Sequence, residues 1–279
     1  MSQYVKVTPM NIVTEARDMP WKVAIEPFKI APKMYYVGNL WVGSFLIDTS
    51  EGLALIDTTV MEDLYLLLES IRKLGFNPMD IKKLFLTHAH MDHTGAARAL
   101  KELTGASIYL SREDEEWRHR PEADMSDTGF KIVPFDVDCF YSDDKPIEMG
   151  DVTIRTKLSA GHTPGTTSFF VTMKDEKGQD TVWGMHGGVG VNTMNTDYLK
   201  KVHLPLSLQD TFLKGCEEMK SIHVDICTPS HPAHSDIISR IPADRSDYSP
   251  FVDPGKWAAF LDERSASLKK VLAAGKYER

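Results

Sequence analysis

Residues 88–93 read His-Ala-His-Met-Asp-His, three imidazoles and one carboxylate within six positions. These are the groups a zinc-type ion takes as ligands at about 2.0–2.2 Å. In an extended segment, side chains two apart point the same way, so His88 and His90 can grip one ion together. Asp92 and His93 fall just past the bend and can aim at a second ion beside the first. A lone histidine on a surface turn would mean little. Four ligand-type residues packed into one turn after an apolar run call for a metal.

The elements around this turn explain how it would be held. Leu84, Phe85 and Leu86 read as a short buried strand. Residues 92–103, rich in Ala and Leu, read as a helix that stops near Gly105. The cluster therefore sits at the carboxyl end of a strand, the edge where layered α/β folds bind ligands. Two more strands run into histidine loops. Residues 152–158 alternate apolar and polar and lead to Gly161-His162-Thr163-Pro164-Gly165. Residues 224–227 lead to Thr228-Pro229-Ser230-His231-Pro232-Ala233-His234. Aligned in one sheet edge, the three loops would bring together six or seven ligand groups, enough for two ions.

The remaining elements are read more coarsely. Residues 35–57 hold two or three strands, with apolar runs at 42–47 and 53–56 joined by a turn. Asp57 ends the second run, where it either supports a ligand histidine or caps the next helix. Residues 61–74 form a helix with Leu64, Leu67, Leu68 and Ile71 on one face. After a strand at 106–110, Ser111 opens a helix whose Asp114 completes a capping box, and the acidic run 113–116 is a solvated face. Residues 119–142 lack periodicity, as lids and binding loops do. Phe130, Phe135 and Phe140 there either line an entrance or pack. Strands at 166–173 and 181–183 and a helix at 207–219 follow. A C-terminal amphipathic helix occupies 253–275, with Trp257, Phe260, Leu261, Leu268 and Val271 on its apolar side. Residues 1–34, with prolines at 9, 20, 27 and 32, read as an extended arm pinned by Trp21 and Phe28. No repeat or linker interrupts the chain, so one domain over 1–279 is expected.

With 279 residues, 42% hydrophobic and 26% charged, the composition is that of an ordinary globular protein. A net charge of −8 argues against a nucleic-acid partner and gives no reason to expect an anionic membrane surface. Cys139, Cys216 and Cys227 are odd in number and far apart, so neither a disulfide framework nor a cysteine-rich metal site is expected. Residues 1–8 show no basic segment followed by an apolar core, so the cytoplasm is the expected compartment. The sequence leaves the oligomeric state open.

The pair of motifs His-Ala-His-Met-Asp-His and Gly-His-Thr-Pro-Gly resembles the metallo-β-lactamase superfamily, over roughly residues 35–235. The resemblance implies an α/β fold, a four-layer αββα sandwich, with two Zn2+ ions between the loops. It further implies His88, His90 and His162 on the first ion, and Asp92, His93 and His231 on the second. His231 is chosen over His234 because Thr-Pro-Ser-His-Pro resembles the last histidine motif of the β-lactamase subclass in which Asp-His-His holds the second zinc.

One departure carries information. Most hydrolases of the superfamily have a Gly-Asp motif whose aspartate bridges both metals, and other β-lactamase subclasses have a cysteine near that place. Here the segment reads Trp-Gly-Met-His-Gly-Gly, residues 183–188, with neither. That fits the Asp-His-His subclass, as does Gly190-Val191-Asn192 downstream. His186, unusual in that turn, is assigned to substrate binding, with a metal contact or plain exposure as the other readings.

The function implied is a binuclear zinc hydrolase that opens a cyclic amide or ester, β-lactam- or lactone-like, in a small molecule by a metal-bound hydroxide, with Asp92 orienting the nucleophile and shuttling its proton. No Gly-x-Ser-x-Gly elbow suggests a serine nucleophile. The alternatives are an iron-dependent oxidoreductase on the same scaffold, shown by bound iron and oxygen consumption; a phosphodiesterase, shown by turnover of a phosphodiester dye; and a non-catalytic scaffold, which the complete ligand set argues against.

Overall fold

The computed structural model describes residues 9–275. Two sheets lie face to face. The first runs β1(Phe28–Ala31), β2(Met34–Tyr36), β3(Phe45–Thr49), β4(Gly52–Ile56), β5(Ile81–Phe85), β6(Ser107–Leu110) and β7(Cys139–Phe140), in chain order. Its first four strands pair antiparallel and its last four parallel. The second sheet comprises β8(Ile147–Met149), β9(Val152–Leu158), β10(Thr167–Lys174), β11(Asp180–Met185) and β12(Ile226–Cys227), antiparallel except for the β11–β12 pair.

Period-two alternation builds the layers. Phe45 and Ile47 of β3, Ile56 of β4 and Phe85 of β5 face inward, against Phe169 and Val171 of β10 and Trp183 of β11. Leu46, Leu55 and Leu84 face outward. They are covered by α2(Leu64–Lys73) through Leu67 and Ile71, and by α4(Ala97–Thr104) through Ala97 and Leu100. On the far side, Phe170 is covered by Phe212, Cys216 and Met219 of α7(Ser207–Met219) and by Trp257, Phe260, Leu261 and Leu268 of α8(Lys256–Ala274). This is the expected αββα sandwich. The short helices α1(Pro9–Asp18), α3(Met91–Thr94), α5(Arg112–Trp117) and α6(Thr196–Lys201) fill in the loops.

Three sequence expectations give way here. The arm expected over 1–34 holds, in its described part, the helix α1 and the strand β1, which adds to the edge of the first sheet. Prolines at 9 and 20 each open a helical turn, where a missing N–H costs nothing, so they did not signal irregularity. Phe28 is fully buried, whereas Trp21 is 62% exposed and pins nothing. The helix expected over 92–103 is two helices, α3 and α4. They are separated at Gly95, where an added Cβ would meet the Met61 nitrogen and the Met91 oxygen at 2.7 Å. The three cysteines are free, as expected. Among the described residues, no helix is long and apolar enough to cross a membrane.

Candidate metal centre

All three histidine loops reach one edge of the sandwich. The parallel strand β5 ends at Phe85 and delivers His88 and His90, with Asp92 and His93 in the first turn of α3. The β9–β10 loop delivers His162, and the segment after β12 delivers His231. Two groups form. The ligand atoms of His88, His90 and His162 lie within 4.8 Å of one another, as do those of Asp92, His93 and His231. These are the two triads that the resemblance implied.

Within the groups the nitrogens face each other. His90 Nδ1 lies 3.1 Å from His162 Nε2, and His93 Nε2 lies 3.1 Å from His231 Nε2. A tetrahedral ion with bonds of about 2.0 Å sets neighbouring ligand atoms about 3.3 Å apart, so both spacings fit a shared ion. Asp92 Oδ2 is 3.4 Å from His231 Nε2 and 3.7 Å from His93 Nε2. His88 Nε2 is buried and has no hydrogen-bond partner, the state of a ligand atom kept for a metal.

The opposite ring nitrogens are tied to oxygens. His93 Nδ1–H donates to Asp57 Oδ2 at 2.7 Å, and His231 Nδ1–H donates to the Trp41 carbonyl at 2.7 Å. His162 Nδ1–H donates to the Gly190 carbonyl at 2.8 Å. His88 Nδ1 is 2.9 Å from the Thr87 hydroxyl, which itself donates to Asp57 Oδ2. A carbonyl or carboxylate only accepts, so each tie leaves the Nε2 lone pair free for an ion and fixes the ring plane. Of the two sequence readings of Asp57, support of a ligand histidine is the one the structure shows.

Electrostatics suit a cation. Burial pushes His88 and His162 well below the ordinary imidazole value and His90 down to about 4. His231 is lowered by burial and by the nearby His93. These four rings are neutral donors at pH 7, as metal ligation requires. For Asp92, burial raises the carboxyl, but His93 and His231 outweigh it and hold it below its usual range. For His93, burial lowers the ring, while Asp57 and Asp92 more than compensate.

His186 and His234, the other histidines of the strand-end loops, stay outside both groups. His186 is 1% exposed, with its ring 5.3 Å from Phe212 and Nε2 unpartnered, and burial pushes it down to about 3. The substrate contact expected of it is not one that the structure brings together. The reason is the fold of the turn, which continues β11 inward against α7. His234 lies 5.6 Å from the His231 ring. Of the phenylalanines at 119–142, Phe130 stacks on Trp41 at 5.4 Å, and Trp41 borders His231 at 6.2 Å. Phe135 packs beneath the Arg118 guanidinium at 4.2 Å, and Phe140 stays 39% exposed beneath Arg112.

An αββα sandwich with a three-histidine group and an Asp-His-His group at one edge defines a metal-dependent hydrolase scaffold. The family model of the metallo-β-lactamase superfamily matches residues 42–177. A subclass B3 metallo-β-lactamase of Bradyrhizobium japonicum, BJP-1, is 27% identical with a TM-score of 0.81, over 92% of this chain and 97% of that one. The metallo-β-lactamase GOB-18 from Elizabethkingia meningoseptica is 29% identical with a TM-score of 0.80, over 98% and 100%. Among curated relatives, the N-acyl homoserine lactonase AttM of Agrobacterium fabrum is 30% identical over 39% of this chain. The probable metallo-hydrolase YqgX of Bacillus subtilis is 28% identical over 38%. The matched segment spans less than half the length of these curated relatives, 43% and 49%.

Proposed function

We propose that the chain is a binuclear zinc hydrolase that opens a cyclic amide or ester, β-lactam- or lactone-like, in a small molecule. The observation that carries this reading is the pair of ligand triads, with the His88 Nε2 left unpartnered at full burial. His88, His90 and His162 would hold the first ion, and Asp92, His93 and His231 the second. Two such ions, when bound, polarise a scissile carbonyl and bring the pKa of water down to about 7.

The chain's own residues supply the rest. Four of the five imidazoles, those of His88, His93, His162 and His231, are fixed by their backbone and side-chain ties. Asp92 stays ionised at neutral pH; its Oδ2, turned to His231 and His93, would hold the second ion, which leaves Oδ1 to accept a proton. Trp41, half-buried beside His231 and backed by Phe130, offers an apolar wall for a substrate side chain. The fold resemblance to β-lactamases and the sequence match to a lactonase support a strained or cyclic acyl group as the reacting unit. The acidic net charge speaks against a nucleic-acid substrate.

Zinc-loaded protein should hydrolyse a chromogenic cephalosporin or an N-acyl homoserine lactone, with turnover abolished by a chelator and restored by zinc. Failure on both substrates, by protein that holds its ions, would remove the cyclic-acyl reading.

A further inference from the structure

The sequence pattern assigned Asp114 to a helix cap on a solvated face, and the structure places it elsewhere. Asp114 is 0% exposed. Its backbone N–H donates to Ser111 Oγ at 3.1 Å, which is the cap. Its carboxylate does something separate. Oδ2 accepts the Ala89 N–H at 2.8 Å and the Thr163 hydroxyl at 2.8 Å, and Oδ1 accepts the Gly165 N–H at 2.6 Å. Ala89 lies between His88 and His90, and Thr163 follows His162. One buried carboxylate therefore joins the two loops that carry the first triad.

We propose that Asp114 is a positioning residue that sets the distance between the His88–His90 turn and the His162 loop, and so the affinity of the first metal position and not of the second. The inference rests on the metal reading above. Three observations favour it. The three donors come from both loops and from no other element. Gly165 leaves room for the approach, since an added Cβ there would meet Ser111 Oγ at 2.0 Å and the Asp114 nitrogen at 2.4 Å. The second triad has ties of its own, through Asp57 and the Trp41 carbonyl, none of which touches Asp114. An amide cannot replace the carboxylate. Either orientation of Asn turns its NH2 toward a donor, which leaves at least one buried N–H or O–H unpaired.

The two positions are separated by single-site backgrounds. In His231→Ala protein the first triad alone is intact, and in His88→Ala protein the second alone. Apo-protein of each background, with and without Asp114→Asn, is titrated with Co2+ and followed by visible absorption; thermal unfolding of the apo-proteins by circular dichroism is the structural control. Loss of a partner that orients ligands costs about 10–100-fold in metal affinity. That loss is expected in the His231→Ala background, with affinity unchanged in the His88→Ala background. Ser111→Ala, which removes the cap and keeps the carboxylate, should leave both affinities in place. Thr163→Val removes one of the three donors and should weaken the first position in the same direction by a smaller factor. It carries the test if Asp114→Asn does not fold. Unchanged Co2+ affinity at the first position, or equal weakening of both positions, would overturn the assignment. If even the unsubstituted protein binds no Co2+, the metal reading itself fails, a result distinct from a loss seen in neither variant.

Discussion

His93 Nδ1 sits 2.7 Å from Asp57 Oδ2, with both side chains sealed from solvent. The same carboxylate accepts from the Thr87 backbone N–H at 2.8 Å and from its hydroxyl at 2.9 Å. Asp57 thus reaches His93 directly and His88 through Thr87. Asp57→Ala should lower the affinity for the second ion by about 10–100-fold, with a smaller effect on the first. Competition with a chromophoric chelator measures both. Equal affinities in variant and parent would contradict the role given to Asp57.

The backbone that carries Asp57 is strained. Asp57 and Thr59 both have φ of +59°, a region that costs a residue with a Cβ about 1–2 kcal/mol. Thr58 between them is held by two bonds to the His93 carbonyl, from its N–H at 2.8 Å and its hydroxyl at 3.0 Å. The strained segment is therefore locked to the ligand helix. Thr59→Gly should be more stable than Thr59→Ala by about 1 kcal/mol, the reverse of the usual order for these residues. Urea midpoints at equal m-value decide it, and a more stable Ala variant would show that no strain resides there.

Asp63 provides a pH signature away from the ligands. Burial pushes it up to about 7, against the lowering effect of the Asn39 amide that donates to it. The folded value lies above the ordinary carboxylate value of about 3.9. Folding therefore favours the protonated form. The stability from this group is fully present below about pH 4 and is lost as pH rises through about 7. Asp63→Asn lacks that dependence, so its stability relative to the parent should grow between pH 4 and pH 8. A difference that stays constant across that range would contradict the raised value.

The far layer has an anchor that can be tested. Trp257 of α8 is 2% exposed, donates from Nε1 to the Met219 carbonyl at 2.8 Å and meets Phe170 edge-on at 5.5 Å. Trp257→Ala should cost about 3–5 kcal/mol of unfolding free energy. A loss below about 0.5 kcal/mol, the scale of a typical surface substitution, would mean that α8 is not part of the cooperative core.

What the sequence revealed depended on how local each signal was. His88, His90, Asp92 and His93 were legible because their ligand spacing lies within one turn. The outward and inward faces of β9 were legible because alternation is written residue by residue. His162 and His231 stood out as histidines of strand-end loops, but placing them on separate ions, and choosing His231 over His234, needed a family resemblance, since nothing local ties loops 69 positions apart. Asp114 was misread for the same reason. Its cap partner is three residues away, while the donors to its carboxylate lie 25, 49 and 51 residues away. The burial of His186 is equally non-local, because α7 supplies the ring that covers it. Helix α6, opened by the Asn195 side chain accepting from the Tyr198 N–H, is six residues long, too short for a periodic signal.

The most direct test of the binuclear centre is a count of zinc by elemental analysis, on protein freed of loosely bound metal. Parent protein should hold about two ions per chain, His162→Ala and His231→Ala about one each, and the double variant none. A parent chain that holds no zinc, or single variants that still hold two ions, would contradict the centre built from these six residues.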